Sequence, residues 1–531
     1  MAVVVVACVP YLPTVRDYFV QDDFGVVQLL ARRPWTMFPR WFVMPWTEDI
    51  WGYRPDELRP FVAFTYQLTG KLSPARPELH HLFNIALHAG NALLVMAIAR
   101  TVMALSPLAA VFAAVVFAVL PGQAESVAWV TGRVDSMPAF FYLATFLAYA
   151  RWRQQHRWRA YVSALALFFV ALFSKQNTIT MVATLAAYEL VVLTRQERGT
   201  LVSSVLSWMP FGILTAGFLL LRRSLFGRSL RPGLQTRDEV GAVVTMLGHH
   251  VRRTVTGHLA APSKADIAAA VFLIVGLLVI ALRSAPGARL RFARAFFFFG
   301  VIWFAIGVAP VALAGYESPR HAYLASVGWA FILALVVEGL YLRVKAPILR
   351  TAVMVSAAAV VMIYVVRLVP VLQTWHTLAR ISESGVARVQ QEAAAAPPGT
   401  LMIVGLPRKS WEWSSPFVLG PPFAPAGLVD RVHLVTPWRL HCCGPELWNV
   451  YTRRHLRAWL QASPRPPIIA LRFAPDTGAV SRLTDTEFPE LNQIVPVLLD
   501  TGTTDTLDGV ILDILDRLVA GHPEELRRIS R

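Results

Sequence analysis

Arg151-Trp152-Arg153-Gln154-Gln155-His156-Arg157-Trp158-Arg159 decides how this chain is read. It closes one apolar run, 137–150, and precedes another, 161–173. Apolar runs that end in arginine and tryptophan are membrane helices meeting the headgroup zone, with the cationic end on the cytoplasmic side. Outward from that anchor, further apolar runs occupy 82–99, 108–120, 179–193, 201–221, 267–282, 295–313, 323–342 and 353–369. The first run, 2–12, is shorter than the ~20 residues a spanning helix needs. Either Arg16 snorkels and the helix continues to about Val20, or the true start lies upstream. A signal peptide fits less well, because no Arg or Lys precedes the run and no small-x-small cleavage site follows. The pattern predicts a polytopic α-helical protein with about eleven transmembrane helices. Alternation from the basic anchor places the amino terminus in the cytoplasm. The 17–81 loop and the carboxyl-terminal region then lie outside, in an integral protein of the plasma (inner) membrane.

Composition agrees. The 531 residues are 55% hydrophobic and only 16% charged, and the mean hydropathy is +0.50. Such values exclude an ordinary soluble globular chain. The net charge of +17 comes from 50 Lys and Arg against 33 Asp and Glu. In a soluble protein it would suggest nucleic acid. Here the arginines flank apolar runs, where they orient helices and meet anionic lipid, so the bilayer is the partner and nucleic acid is not. Three cysteines, Cys8, Cys442 and Cys443, fit neither a disulfide scaffold nor a zinc pattern.

Two polar segments interrupt the apolar pattern. The first outer loop, 17–81, opens with Gln21-Asp22-Asp23-Phe24 and carries Trp35, Trp41, Trp46 and Trp51. Carboxylates beside a bilayer are costly unless they have a task. Its acidic pairs Glu48-Asp49 and Asp56-Glu57 either offer ligands to a divalent cation or are solvated; no cofactor is otherwise indicated. The second segment, 222–264, holds Arg222, Arg223, Arg228, Arg231, Arg237, Arg252 and Arg253 with His249, His250 and His258. Too charged to span, 240–259 is expected as an interfacial or re-entrant helix. Its arginines either contact headgroups or hold the phosphate of a lipid-linked substrate, and the histidine spacing matches no known metal pattern.

Composition shifts again beyond Thr374. This suggests a division into a transmembrane domain, 1–374, and a soluble extracytoplasmic α/β domain, 375–531. A helix should stop at Pro397-Pro398-Gly399. Strands are expected at 401–404, 432–435, 468–471 and 495–499, with helices at 447–462 and 507–519.

Five stretches carry a resemblance. Leu120-Pro121-Gly122-Gln123-Ala124-Glu125-Ser126-Val127-Ala128-Trp129-Val130-Thr131-Gly132-Arg133-Val134-Asp135 resembles the HPvhvEsVaWvxGRxDxL signature of the transmembrane and tetratricopeptide-repeat O-mannosyltransferases and their bacterial relatives. Leu58-Arg59-Pro60-Phe61 is similar to their YRPL, and His81-Leu82-Phe83-Asn84 through Leu87-His88-Ala89 to their yHLxNxxLHa. Ser174-Lys175-Gln176 resembles SKE, and Arg320-His321-Ala322-Tyr323-Leu324-Ala325-Ser326-Val327-Gly328 resembles RYxYLPSVG. Together they run from Asp22 to about Glu338 in the family's order. Leu120 and Gln123 replace the histidines of HPvh, Pro319 replaces an acidic residue, and no tetratricopeptide repeats are seen.

The resemblance implies a GT-C fold and an inverting glycosyltransferase. Such an enzyme moves a sugar from a polyprenyl-phosphate donor to an extracytoplasmic acceptor: protein, glycan or lipid. One carboxylate deprotonates the acceptor, and other groups stabilise the departing phosphate. By resemblance the base is Asp22 or Asp23, with Asp23 preferred; alternatively Asp23 caps a helix beginning at Phe24. Arg59, Glu125, Arg133, Asp135, Lys175 and Arg320 are the candidates for binding donor phosphate or acceptor, or they pair with one another. Asn84 and His88, four apart, are expected to stitch helices together. The competing readings are a transporter or flippase of lipid-linked sugar and an envelope assembly scaffold. A transporter should show charges at midplane and paired broken helices, whereas charge here gathers at span ends.

Overall fold

The computed structural model describes residues 1–48, 55–230, 237–315, 318–405, 417–435, 458–474 and 479–483. Asp49, Trp51, Arg54, Arg231, Cys442, Cys443 and the expected elements 495–499 and 507–519 lie outside the described residues, as does most of 447–462.

Each expected apolar run within those residues falls in a helix, and the chain is an integral multi-pass membrane protein. Six helices are long and apolar enough to cross a membrane: Glu78–Thr101, Leu201–Phe226, Lys264–Arg283, Pro286–Leu313, Ser326–Arg343 and Pro347–Ala395. A seventh crossing results if the bent pair Pro107–Val119 and Pro121–Ala128 is one span. The sequence count of about eleven also includes Ala2–Arg16 and Trp158–Leu172, which are short. It further includes Arg133–Gln155, whose ends are charged, and the run at 179–193. That last run is broken into a 3-10 turn at Gln176–Thr180, an α-helix at Met181–Ala187 and a π-helical turn at Tyr188–Val192.

The breaks have local causes. Proline opens the helices at Pro60, Pro107, Pro121, Pro286, Pro319 and Pro347, where its missing N–H has no intrahelical partner to lose. At Leu120–Pro121 the chain bends by 56° and enters the stub that carries Glu125. A β-carbon on Gly132 would lie 2.3 Å from the Glu125 carbonyl oxygen, so only glycine lets the turn before Arg133 close on that stub. Polar side chains stitch the bundle beneath it. Asn84 donates to the carbonyls of Trp129 (2.8 Å) and Val130 (3.2 Å), and His88 contacts the Tyr323 hydroxyl (2.8 Å) and the Ala118 carbonyl (3.1 Å).

The basic segment forms a helix over Arg237–Thr256, close to the expected interfacial one. Val240, Val244, Leu247 and Val251 recur on it at helical spacing and are exposed, an apolar stripe suited to the membrane interface. Two of the basic segment's arginines meet a carboxylate. Arg222 is buried, and it donates to the Asp56 carbonyl (2.6 Å) and carboxylate (3.2 Å); Arg228 lies 3.4 Å from the same carboxylate. The pairing ties this segment to the first outer loop.

The division at 374 falls inside one uninterrupted 49-residue helix, Pro347–Ala395. Thr374 marks where its sequence stops being lipid-like, while helical hydrogen bonding continues to Ala395. Beyond it stand β1 (Thr400–Gly405), β2 (Val432–Val435), β3 (Ile468–Ala474) and β4 (Ala479–Arg482). They form a sheet of order β2-β1-β3-β4, parallel except for β4, which the sequence reading missed. Met402, Val404, Leu434, Ile469 and Leu471 share one apolar core with Phe19, Phe24, Trp41, Tyr66 and Val389. The sheet and the 17–81 segment are therefore packed as one unit.

Candidate active site

Glu125, Asp135, Lys175 and Arg320 come from four different segments, each at or just beyond a helix end, and meet in one charged cluster. Arg320 Nη1 donates to Glu125 Oε1 at 2.8 Å, and its backbone N–H approaches Oε2 at 3.3 Å. Ser318 Oγ donates to the same oxygen at 2.5 Å. The Arg320 Nε lies 3.3 Å from Asp135 Oδ2, while Lys175 Nζ binds Asp135 Oδ1. The guanidinium also stacks on Trp129, 4.8 Å from the ring centroid. Burial works against the charge on Arg320, but Glu125, Asp135 and then Asp22 outweigh it and raise its pKa. Asp22 is therefore part of this electrostatic neighbourhood, and it is only partly buried.

His321, which the sequence reading quoted within a motif without assigning a role, completes the cluster at 3.8 Å from Asp135. Burial pushes its imidazole down to about 4, and Arg320 and Lys175 press the same way against the contact with Asp135. Burial also lowers the Lys175 ammonium; Asp135 opposes this, and Arg59 and Arg320 add to it. Arg59 is thus a neighbour. Its Nη2 binds Glu57 at 2.9 Å, its guanidinium lies 5.8 Å from the Trp46 ring, and its buried Nε has no hydrogen-bond partner. Beside Asp135 a small, partly open pocket is lined by Asn177, Thr178, Arg320, His321 and Tyr323. The Asn177 Oδ1 is buried without a hydrogen-bond partner.

Two expected site residues lie behind this cluster. Asp23 is 1% exposed, and both its oxygens are engaged: Oδ2 by the Val20 N–H (3.0 Å), Oδ1 by the Thr131 N–H (2.9 Å) and hydroxyl (2.6 Å). Burial pushes its carboxyl up to about 7, against the pull of those bonds and of Arg133. The helix begins at Asp23 itself, over Asp23–Arg32, and the carboxylate reaches back to Val20 instead of capping forward. Arg133 is wholly buried. Its Nε donates to Asn84 (3.0 Å), Nη2 to the His80 carbonyl (3.0 Å) and Nη1 to Thr69 (3.3 Å) and Thr65 (3.4 Å). The Tyr66 and Phe83 rings cover the guanidinium at 4.2 and 4.7 Å. It is a buried strut between helices.

The acidic pair Asp56-Glu57 is engaged by Arg222 and Arg228 on one side and Arg59 on the other. Among the described residues no three His, Cys, Asp or Glu side chains gather as metal ligands.

No family model matches the chain. Human protein O-mannosyl-transferase TMTC4 is 30% identical over 210 residues, 34% of this chain and 28% of that protein. Mouse protein O-mannosyl-transferase TMTC3 is 31% identical over 153 residues, 27% of this chain and 16% of that protein. The chain thus spans less than a third of the length of these curated relatives. Among solved structures, the archaeal oligosaccharyltransferase AglB from Archaeoglobus fulgidus, in complex with an inhibitory peptide and a dolichol-phosphate, aligns with 91% of this chain and 74% of its own (TM-score 0.47, 13% identity). ArnT from Cupriavidus metallidurans, bound to undecaprenyl phosphate, aligns with 90% of this chain and 93% of its own (TM-score 0.38, 16% identity). This multi-pass membrane protein is similar, over about a third of its length, to the transmembrane and tetratricopeptide-repeat O-mannosyltransferases whose motifs it carries.

Proposed function

We propose that the chain is a membrane glycosyltransferase that moves a sugar from a polyprenyl-phosphate donor to an acceptor hydroxyl, with inversion. The observation that carries this reading is the convergence of Glu125, Asp135, Lys175 and Arg320, drawn from separate motifs, with Asp22 in the same field. Asp22 is the better base. It is partly exposed beside the cluster, whereas Asp23 is buried. Asp22 takes the hydroxyl proton as the acceptor oxygen attacks the anomeric carbon from the side opposite the phosphate. The bond from that carbon to the phosphate oxygen breaks, and the lipid phosphate leaves with both bonding electrons.

Arg59, Lys175 and Arg320 are the cations for the leaving phosphate. Burial is the main cause that lowers the Lys175 pKa, and Arg59 and Arg320 add to it, so an incoming anion relieves repulsion as it binds. Glu125 holds the Arg320 guanidinium against Trp129 and fixes its orientation. Asn177 and Thr178, which line the small pocket beside Asp135, are the partners for a hydroxyl of the sugar.

One helix supports an outward-facing cluster. Asp135 and Arg153 stand eighteen residues apart on Arg133–Gln155, about 27 Å at helical rise. That is close to the thickness of a hydrocarbon core. With the basic 151–159 stretch in the cytoplasm, the cluster faces out, on the side where lipid-linked sugars meet envelope acceptors.

The test is mass spectrometry of envelope glycans and glycoproteins from cells lacking the protein, complemented with wild type or Asp22→Asn. One sugar modification should disappear, return with wild type and stay absent with the variant. An unchanged glycan profile, or full rescue by the variant as expected of a transporter or scaffold, contradicts the proposal.

A further inference from the structure

The turn that presents Asp22 is held in a conformation its own sequence disfavours. Gln21, the residue before it, has φ +51°, a left-handed geometry that L side chains rarely adopt, and its side chain is buried. Such a residue persists only where its surroundings over-determine it, and such residues cluster at functional sites. The surroundings here are of two kinds. On the membrane side, Asp23 binds Thr131 and the Val20 N–H, and the Trp129 indole N–H approaches the Val20 carbonyl at 3.4 Å.

The other side belongs to the carboxyl-terminal part of the chain. Ser382 Oγ donates to the Phe19 carbonyl at 2.6 Å. The Phe423 ring meets Phe19 edge-on at 5.3 Å and Phe24 at 5.0 Å between centroids. Phe423 is itself steadied, because Gln390 donates to its carbonyl (3.0 Å) and to that of Val418 (2.8 Å). Gln28, one turn beyond Phe24, donates to the Phe417 carbonyl at 3.1 Å. A β-carbon on Gly420 would lie 2.7 Å from the Gln28 amide nitrogen, so the end of the Gln28 side chain rests against the Gly420 backbone.

We propose that the 417–424 segment is a clamp on the Gln21 turn, and that Phe423 and Ser382 are positioning residues that set the direction of the Asp22 carboxylate. The role assigned to Asp22 rests on the glycosyl-transfer reading; the clamp on the backbone does not. The carboxyl-terminal sheet is then part of the catalytic apparatus without touching substrate. An enzyme that relies on a carboxylate at the edge of a bilayer gains a rigid mount for it from outside the membrane.

The experiment uses the full chain in lipid nanodiscs, with amide hydrogen exchange followed by mass spectrometry on peptides covering 17–24 and 133–155. It adds transfer kinetics with polyprenyl-phosphate mannose as the probe donor and an envelope extract as acceptor. Phe423→Ala and Ser382→Ala should each speed exchange at 17–24 about tenfold or more and leave 133–155 unchanged. With Phe423→Ala, kcat should fall about tenfold or more while the donor KM stays within about twofold, since misdirecting a base costs rate rather than binding. Phe423→Tyr, which keeps the ring, should restore both. Should Phe423→Ala not fold, Ser382→Ala carries the exchange test by itself. Unchanged exchange at 17–24, or an equal rise throughout the chain, overturns the clamp. Faster exchange at 17–24 in a protein whose wild type transfers no sugar supports the clamp and counts against the glycosyl-transfer reading alone.

Discussion

Arg320 and Glu125, 195 residues apart in sequence, are joined by a 2.8 Å bond between guanidinium and carboxylate, and the same guanidinium stacks on Trp129. A lysine cannot reproduce that planar fork and stack together. Arg320→Lys should therefore reduce transfer about 100-fold or more while leaving the protein folded. Glu125→Gln should lower kcat more than it alters the donor KM, because it frees the arginine to turn. Steady-state kinetics on the two variants checks both.

Arg133 should behave differently although it belongs to the same motif. Its removal leaves buried acceptors on Asn84 and at the His80 carbonyl without their donor, a cost of about 2–4 kcal/mol. Arg133→Met should depress the melting temperature in detergent and the folded yield. Activity per folded molecule should fall far less than with Arg320→Lys.

Asp23 gives a pH signature. Its folded pKa, about 7, lies above the ordinary aspartate value, so the native state holds a proton that the unfolded chain has lost. The contribution is fully present below about pH 4 and is lost as pH rises to about 7. His321, pushed down to about 4, acts in the opposite sense between about pH 4 and 6.5. The comparison must therefore be made against Asp23→Asn, in which the histidine term is common. Wild type should lose thermal stability relative to that variant as pH is raised from 4 to 7.

The Arg222–Asp56 pair tests the tie between the basic segment and the first loop. Both partners are buried, so Arg222→Ala should destabilise by about 3–5 kcal/mol in thermal or denaturant unfolding. Arg223→Ala, at an exposed neighbour, should be close to neutral.

How much of this the sequence declares depends on the range of the interaction. Spans such as Glu78–Thr101 and Lys264–Arg283 are legible because run length and flanking arginines are local properties. Arg59, Arg133, Lys175 and Arg320 all stand at expected span ends; of these, Lys175 and Arg320 meet at Asp135 and Glu125 with Arg59 as a neighbour, while Arg133 is buried among Asn84 and His80. Burial was not legible. Asp22 and Asp23 look alike in the sequence, and only the fold shows that Asp23 is buried against Thr131 and Val20. Arg133 looks like a phosphate ligand until His80, Asn84 and Tyr66 close around it. The Asp56–Arg222 pair, 166 positions apart, and the grip of Phe423 on Phe24, from opposite ends of the chain, have no local signal. His321 and Thr131 were in view within the quoted motifs, and only their neighbours reveal what they hold.

The most direct test of the central claim compares Asp22→Asn with Asp23→Asn in one transfer assay, each normalised to folded protein. A lost general base costs about 100- to 10,000-fold. Asp22→Asn should fall in that range with an unchanged melting temperature, while Asp23→Asn should alter stability with pH and retain more activity than its neighbour. An Asp22→Asn protein that transfers sugar at more than about a tenth of the wild-type rate would contradict the assignment.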